Sequence, residues 1–216
     1  MQFSIPVDTI KALLLAAAKG DIRYYLNAVC LDVAPDGSAV AVATDGHIML
    51  ALPVERAEDD GEPRATAAGQ YVIPRDVLEG LKAPWKGGAA TVTIDAGAKT
   101  VTVTVAGKAS SSALVDGKFP EWRRVVPRKV SGLASQFNAE YVATFGKIHK
   151  LLGGKFSPGI LHNGGDGGNF VESAARVLLP GEAVGVLMPM RGYDGATVEN
   201  PAWLDYPAAT DTAAAA

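Results

Sequence analysis

The sequence predicts an α+β fold assembled from a repeated unit, in which a short strand runs straight into a helix and then into further strands. The segments FSIPVDTI, YVIPRDVL and SQFNAEYV open alike, with Pro6, Pro74 and Asn138 in equivalent places 68 and 64 residues apart. After each opening, apolar residues recur at helical spacing. Beyond each helix the pattern changes to alternating or continuous apolar runs, broken by Asp-Gly and Gly-rich turns. A unit of this kind cannot bury its helix alone and must share a sheet with a neighbour.

In the first unit, residues 2–7 read as a strand, and Ile10, Leu13, Leu14 and Ala17 mark a helix with Asp8 as N-cap and Gly20 past its end. Residues 23–33 (RYYLNAVCLDV) read as one strand, and residues 39–53 as two strands around Asp45-Gly46-His47. The second unit has a strand at 70–74, a helix over 75–82, Thr/Val-rich strands at 91–94 and 100–105, and a strand at 109–115. The third has a strand at 135–137 and a helix over 139–152. The helix carries Tyr141, Val142, Phe145, Ile148, Leu151 and Leu152 on one face and breaks at Gly153-Gly154. Strands at 159–162, 170–179 and 183–188 follow, the first two joined by an NGGDGG turn.

Between the second and third units lies LVDGKFPEWRRVVP, residues 114–127. The Asp116-Gly117 turn and the Phe119-Pro120 step exclude helix and predict a turn entering an edge strand. Trp122 is expected on its surface, followed by Arg123 and Arg124.

Composition is that of a globular protein, 48% hydrophobic and 20% charged. The N-terminus has neither a basic stretch nor an apolar run long enough for a signal or a membrane span, so a cytoplasmic protein is expected. The single Cys30 lies in an apolar strand pattern and reads as a small buried hydrophobe. Net charge is −3, but residues 193–216 hold four acids and no Lys or Arg, leaving +1 elsewhere. A cationic surface is therefore permitted.

Sites of chemistry are sparse. His47, His149 and His162 lie far apart without metal-ligand spacing, so no metal is expected. No nucleophile, zincin or kinase motif occurs. LLGGKFSPG lacks phosphate-loop spacing, and NGGDGG is a single loose copy of a calcium repeat; both read as turns. An enzyme using Asp45, His47 and Arg124 lacks a nucleophile or cofactor. Lys11, Lys19, Arg23, Arg75, Lys82, Lys147 and Lys150 lie on or beside the three helices. If those helices share one side of a sheet, they offer a cationic face for sequence-independent phosphate contact.

Taken together, RYYLNAVCLDV from Arg23, VATDGHIML from Val42, YVIPRDVL from Tyr71, LVDGKFPEWRRVVP from Leu114, QFNAEYV from Gln136 and VLMPMR from Val186 form a pattern. In this order they resemble the middle and last domains of the bacterial DNA polymerase III beta subunit, the sliding clamp. Six ordered matches are more specific than any one of them, and they cover most of residues 1–191. The resemblance implies a DNA clamp fold with one full clamp domain over residues 1–127 and about half of another over 128–192, followed by a flexible acidic, Ala-rich tail at 193–216.

The function implied is that of a non-enzymatic, cofactor-free processivity factor. Its helices face duplex DNA, and a DNA polymerase or other replication protein docks a short peptide on it; a clamp loader is a further partner that the resemblance implies. The pocket positions of the family match Leu26, Thr44, Gly46, His47, Met49, Pro120, Arg124, Val125, Asn138, Tyr141, Val186, Leu187, Met188, Pro189, Met190 and Arg191. Tyr24 and Tyr25 match positions near the DNA path. Met, Leu and Val suit an adaptable apolar cleft, and Arg124, Arg191, His47 and Asn138 can orient a peptide backbone.

The chain departs from the family pattern in lacking its first domain and half of its last, and in carrying Ile48 where an Arg is usual. If a ring of twelve units is kept, three units per chain require a homotetramer; alternatively, half-domains of two chains complete each other in a dimer. Trp203, Leu204 and Tyr206 in the tail are expected either to be mobile or to fold back over a sheet or the pocket. A second functional reading is a clamp-like peptide-binding module that does not encircle DNA and sequesters clamp partners.

Overall fold

The computed structural model describes residues 1–57, 67–80, 88–128, 136–162 and 173–190. The repeated unit is visible in its element order. The first unit is β1 (Gln2–Pro6), α1 (Val7–Ala16), β2 (Ala28–Val33), β3 (Ala39–Thr44) and β4 (Ile48–Arg56). The second is β5 (Gly69–Pro74), α2 (Arg75–Glu79), β6 (Ala89–Asp95), β7 (Thr100–Val105) and β8 (Lys108–Ala113). The third is α3 (Ala139–Leu151), β9 (Ile160–His162), β10 (Ala175–Leu178) and β11 (Val184–Leu187).

The first two units exchange strands. β1 pairs antiparallel with β6 and β5 with β2, so each unit's opening strand completes the other's sheet. The resulting order is β5-β2-β3-β4-β1-β6-β7-β8, with the third unit's sheet branching from β4. β4 is long enough to serve two neighbours on one edge. Its end pairs with β1 through Ser4 and Glu55, while its first half pairs with β11 through Met49 and Val186.

Strand alternation sends side chains to two faces. On the helix side, Phe3, Leu13, Leu31, Leu50, Ile73 and Val92 form one core with Phe145, Ile148, Val177 and Leu187 of the third unit. Each such side chain contributes on the order of 1.5–3 kcal/mol by leaving water. On the other face, Ala28, Cys30, Val42, Met49, Ala51, Val72 and Val186 pack under Phe119 and Trp122 of the segment between units two and three. Cys30 is fully buried, and desolvation raises its thiol pKa well above the ordinary range.

Several expectations are corrected. α1 starts at Val7, so Asp8 lies in its first turn, paired with Lys11 at 2.9 Å. The cap is supplied by tertiary structure, with the Val7 N–H donating to the Gly88 carbonyl at 2.8 Å. α1 ends at Ala16, four residues before Gly20. The guanidinium of Arg75 donates to the Ala17 and Ala18 carbonyls just past that end, at 3.0 and 3.1 Å.

Residues 24–26 form a 3-10 turn, and β2 begins only at Ala28. The amide of Asn27 bridges back to the Asp21 backbone at 2.8 and 2.9 Å and holds the chain in that turn. In the third unit, Gln136 and Phe137 are not in a strand, although the Met190 N–H donates to the Gln136 carbonyl. Residues 122–125 form a 3-10 turn in place of an edge strand. Trp122 is buried there, because its indole has both an apolar bed and a carboxylate acceptor in Asp32.

Candidate functional site

The outer face of the sheet is hollowed where three stretches meet: the turn between β3 and β4, the 114–127 segment, and the end of β11. The turn is built from side-chain acceptors. Asp45 Oδ1 accepts from the backbone N–H groups of His47 and Ile48, each at 2.8 Å. Thr44 Oγ1 accepts from the Gly46 N–H at 3.0 Å and donates to the Ile48 carbonyl at 2.7 Å. Gly46 sits at φ +95°, where a side chain is strained.

Arg23 lies across this turn. It grips Asp21 through Nε at 3.0 Å and Nη2 at 2.7 Å, and donates to the Asp45 carbonyl at 3.1 Å. The hydrogen bonds from Arg23 hold the Asp21 pKa down at about 2. On the other side, the His47 ring stacks on Tyr141 of α3 with centroids 5.5 Å apart. The Met188 N–H donates to the His47 carbonyl at 2.8 Å, prolonging the β4–β11 ladder to the cleft edge.

The 114–127 segment is the second wall. Phe119 is fully buried beneath it. The Trp122 indole N–H donates to Asp32 Oδ2 at 2.8 Å, and the same oxygen accepts from Arg123, whose guanidinium lies 4.2 Å over the Trp122 ring. Asp32 thus pins the wall to β2. Between the walls is a cleft of about 180 Å³, floored by apolar side chains with a few polar groups at its rim, the form of a site for a small apolar group or an extended peptide.

Of the residues expected there, Leu26, Thr44, Gly46, His47, Met49, Pro120, Val125, Val186 and Met188 line the cleft. Tyr141 stands at its border through the His47 stack. Leu187 does not: it alternates to the opposite face of β11 and is fully buried in the helix-side core. Arg124, Pro189 and Met190 are not among the lining residues. Asn138 accepts the Glu140 N–H at 2.9 Å as the N-cap of α3, which directs its carbonyl to the helix. Arg191 lies outside the described residues.

Sequence reasoning missed Arg23, Tyr25, Ile48, Glu121 and Trp122 as lining residues. Ile48 borders the cleft at the turn, while its side chain is buried in the helix-side core beside its β11 partner Leu187. Arg23 and Tyr25 shortly precede Leu26, and the clue lay in reading 24–26 as a turn, which brings all three to the cleft.

The residues expected to face DNA divide. Arg23, Tyr24 and Tyr25, expected beside DNA, stand at the cleft or the adjoining segment; the Tyr24 hydroxyl donates to the Asp116 carbonyl at 2.9 Å. Arg75 is engaged internally, its Nε on Glu79 at 2.7 Å and its Nη1 on the carbonyls after α1. Lys19 lies 3.8 Å from the same Glu79. Lys11 is on α1, and Lys147 and Lys150 are exposed on α3, which packs beside α1 on the sheet face opposite the cleft. Lys82 lies outside the described residues. Among the described residues no cluster of His, Cys, Asp and Glu is placed to hold a metal, and no helix is long and apolar enough to cross a membrane.

Solved DNA sliding clamps superpose on this chain and share its fold. The clamp of Pseudomonas aeruginosa covers 88% of this chain and is itself covered to 67%, with a TM-score of 0.61 and 20% identity. That of Bacillus subtilis covers 89% and is covered to 65%, with a TM-score of 0.65 and 14% identity. In sequence, the beta sliding clamp of Salmonella typhimurium is 30% identical over 135 residues, 59% of this chain and 34% of the relative. The Pseudomonas aeruginosa clamp is 34% identical over 132 residues, with the same two coverages of 59% and 34%. The family model for the DNA polymerase III beta subunit, central domain, matches residues 5–121, and the chain belongs to that family. It spans about a third of the length of the curated relatives it matches.

Proposed function

We propose that this chain is a clamp-like DNA replication factor, a non-catalytic processivity element. It holds a polymerase or another replication protein to duplex DNA through a short peptide seated in the cleft. Residues 1–127 act as one complete clamp domain and 128–192 as half of a second. The observation that carries this is the position of the cleft, on the sheet face opposite the helix layer. A peptide seated there leaves Lys11, Lys147 and Lys150 on the other side for phosphate contact, which needs no base recognition.

The cleft chemistry supports the same reading. Met49, Val186 and Met188 are adaptable apolar contacts, and Met188 and Val125 are exposed and available to a ligand. Arg23 and His47 supply polar groups at the rim. The test is retention on nicked circular duplex DNA, loaded with or without a clamp loader, compared with the linearised form. Retention on the circle that is lost on cutting, and a polymerase carried along with the wild type but not with Met188→Ala, are the expected results. Equal retention on both DNA forms contradicts encirclement.

A further inference from the structure

The first two units show how one unit completes another. The helices α1, α2 and α3 are capped at Pro6, Pro74 and Asn138, which fixes the three openings in register. In the exchanged ladders Pro6 lies opposite Ala89 and Ser4 opposite Thr91, while Pro74 lies opposite Ala28 and Val72 opposite Cys30. The two ladders are one pairing used twice, which is the signature of a two-fold relation.

The other edge of each opening is also used alike. Ser4 pairs with Glu55, the Val115 N–H donates to the Val72 carbonyl at 2.8 Å, and the Met190 N–H donates to the Gln136 carbonyl at 2.8 Å. Gln136 therefore holds the place of Ser4 and Val72. The strands after the helices correspond as well. Cys30, Val42 and Ala51 lie side by side across β2, β3 and β4, as Leu161, Arg176 and Val186 do across β9, β10 and β11. Both rows end on the outer face, and both are followed four residues later by the residue that bonds the opening, Glu55 or Met190. On the spacing of the first unit Leu161 holds the place of Cys30; in the second unit the corresponding row, Thr91, Thr104 and Ala109, ends six residues before Val115.

Cys30 has strands on both sides, β3 and β5. Among the described residues, β9 has β10 on one side and no strand on the other. Leu178, 48% exposed, stands beside the start of that strand, where a Cβ on Gly159 would lie 3.4 Å from its Cδ1. A sheet edge of this kind is a template for another chain, and the chain itself carries a segment of the required register at 136–138.

We propose that a second copy of this chain adds along β9, the two third units completing each other about a two-fold axis as the first two units do. In this pairing Gln136 lies opposite Leu161 of the partner subunit, and Asn138 opposite Gly159 of the partner subunit, each contact occurring twice. The Gln136 carbonyl points to Met190, so the Gln136 pair is of the non-hydrogen-bonded kind, with α-carbons about 4.5 Å apart. That separation suits a disulfide.

The experiment is sedimentation of the unmodified 216-residue chain at micromolar concentration, with mild oxidation of a Gln136→Cys/Leu161→Cys variant read on a non-reducing gel. The native Cys30 is fully buried and stays out of the reaction. The expected mass is an even multiple of 22.3 kDa, with a covalent dimer from the double variant and none from either single variant. A monomer overturns the proposal, including one whose own residues 191–216 cover β9. An even oligomer whose folded double variant does not cross-link overturns it too. If the double variant fails to fold, the mass of the unmodified chain decides.

Discussion

Arg23 lies directly over Gly46: a Cβ added at Gly46 would sit 2.9 Å from the guanidinium Nη1, on a backbone already at φ +95°. Gly46→Ala therefore strains the turn and displaces Arg23. We expect a stability loss of about 1–2 kcal/mol from the backbone alone. That corresponds to a fall of a few degrees in Tm for a chain of this size. Affinity for a clamp-binding peptide should fall with it, as read by thermal melting and fluorescence polarisation of the same preparation. Unchanged affinity would separate Arg23 from the site.

Leu187 and Met188 are neighbours in sequence with opposite tasks. Leu187 is fully buried on the helix side, and Met188 is exposed at the cleft. Leu187→Ala should cost about 2–5 kcal/mol in denaturant unfolding, the usual loss for a buried leucine. Met188→Ala should leave unfolding within about 0.5 kcal/mol of wild type and weaken peptide binding. The reverse pattern would mean that β11 is turned over.

Gly185 on β11 passes beneath α3. A Cβ there would come within 2.8 Å of both the Phe145 ring and Val177 Cβ. Gly185→Ala should overpack this contact at a cost of about 1–3 kcal/mol. Amide exchange should quicken in α3 and β9–β11 before it does in β1 or β6. Uniform loosening of all strands would argue that the third unit has no local stability of its own.

The Asp21–Arg23 pair sets an acid limit. The folded pKa of Asp21 is lowered to about 2 from a usual carboxylate value. Its stabilising contribution is therefore complete above the unfolded pKa, near 3.9, and fades as pH falls toward 2. The difference in unfolding midpoint between wild type and Asp21→Asn should be constant from pH 7 to 5 and shrink below pH 4. A difference that grows in acid would contradict the pairing.

Much of this architecture was legible in the sequence because the unit repeats. The openings at Pro6, Pro74 and Asn138 each precede a helix, and the Thr/Val run at 100–105 is a strand as expected. What was not legible depends on contacts between distant segments. Trp122 reads as a surface residue beside two arginines, and only Asp32 on a distant strand makes burying its indole favourable. Residues 24–26 alternate like a strand, and the Asp21–Asn27 bridge turns them. Much of the cleft follows the resemblance, but Leu187 shows its limit. A list of positions does not carry strand phase, and one residue's shift along β11 separates core from cleft.

The central claim is that the hollow between Gly46, Val125 and Met188 takes a replication partner's peptide. Titration of the full chain with a fluorescein-labelled clamp-binding peptide tests it most directly, with Val125→Asp as the comparison, since Val125 is 47% exposed and a substitution at such a surface position should change stability by no more than about 0.5 kcal/mol. The account predicts saturable binding by the wild type and at least about tenfold weaker binding by the variant, or about 1.4 kcal/mol. No saturable binding by the wild type, or equal binding by both proteins, would contradict it.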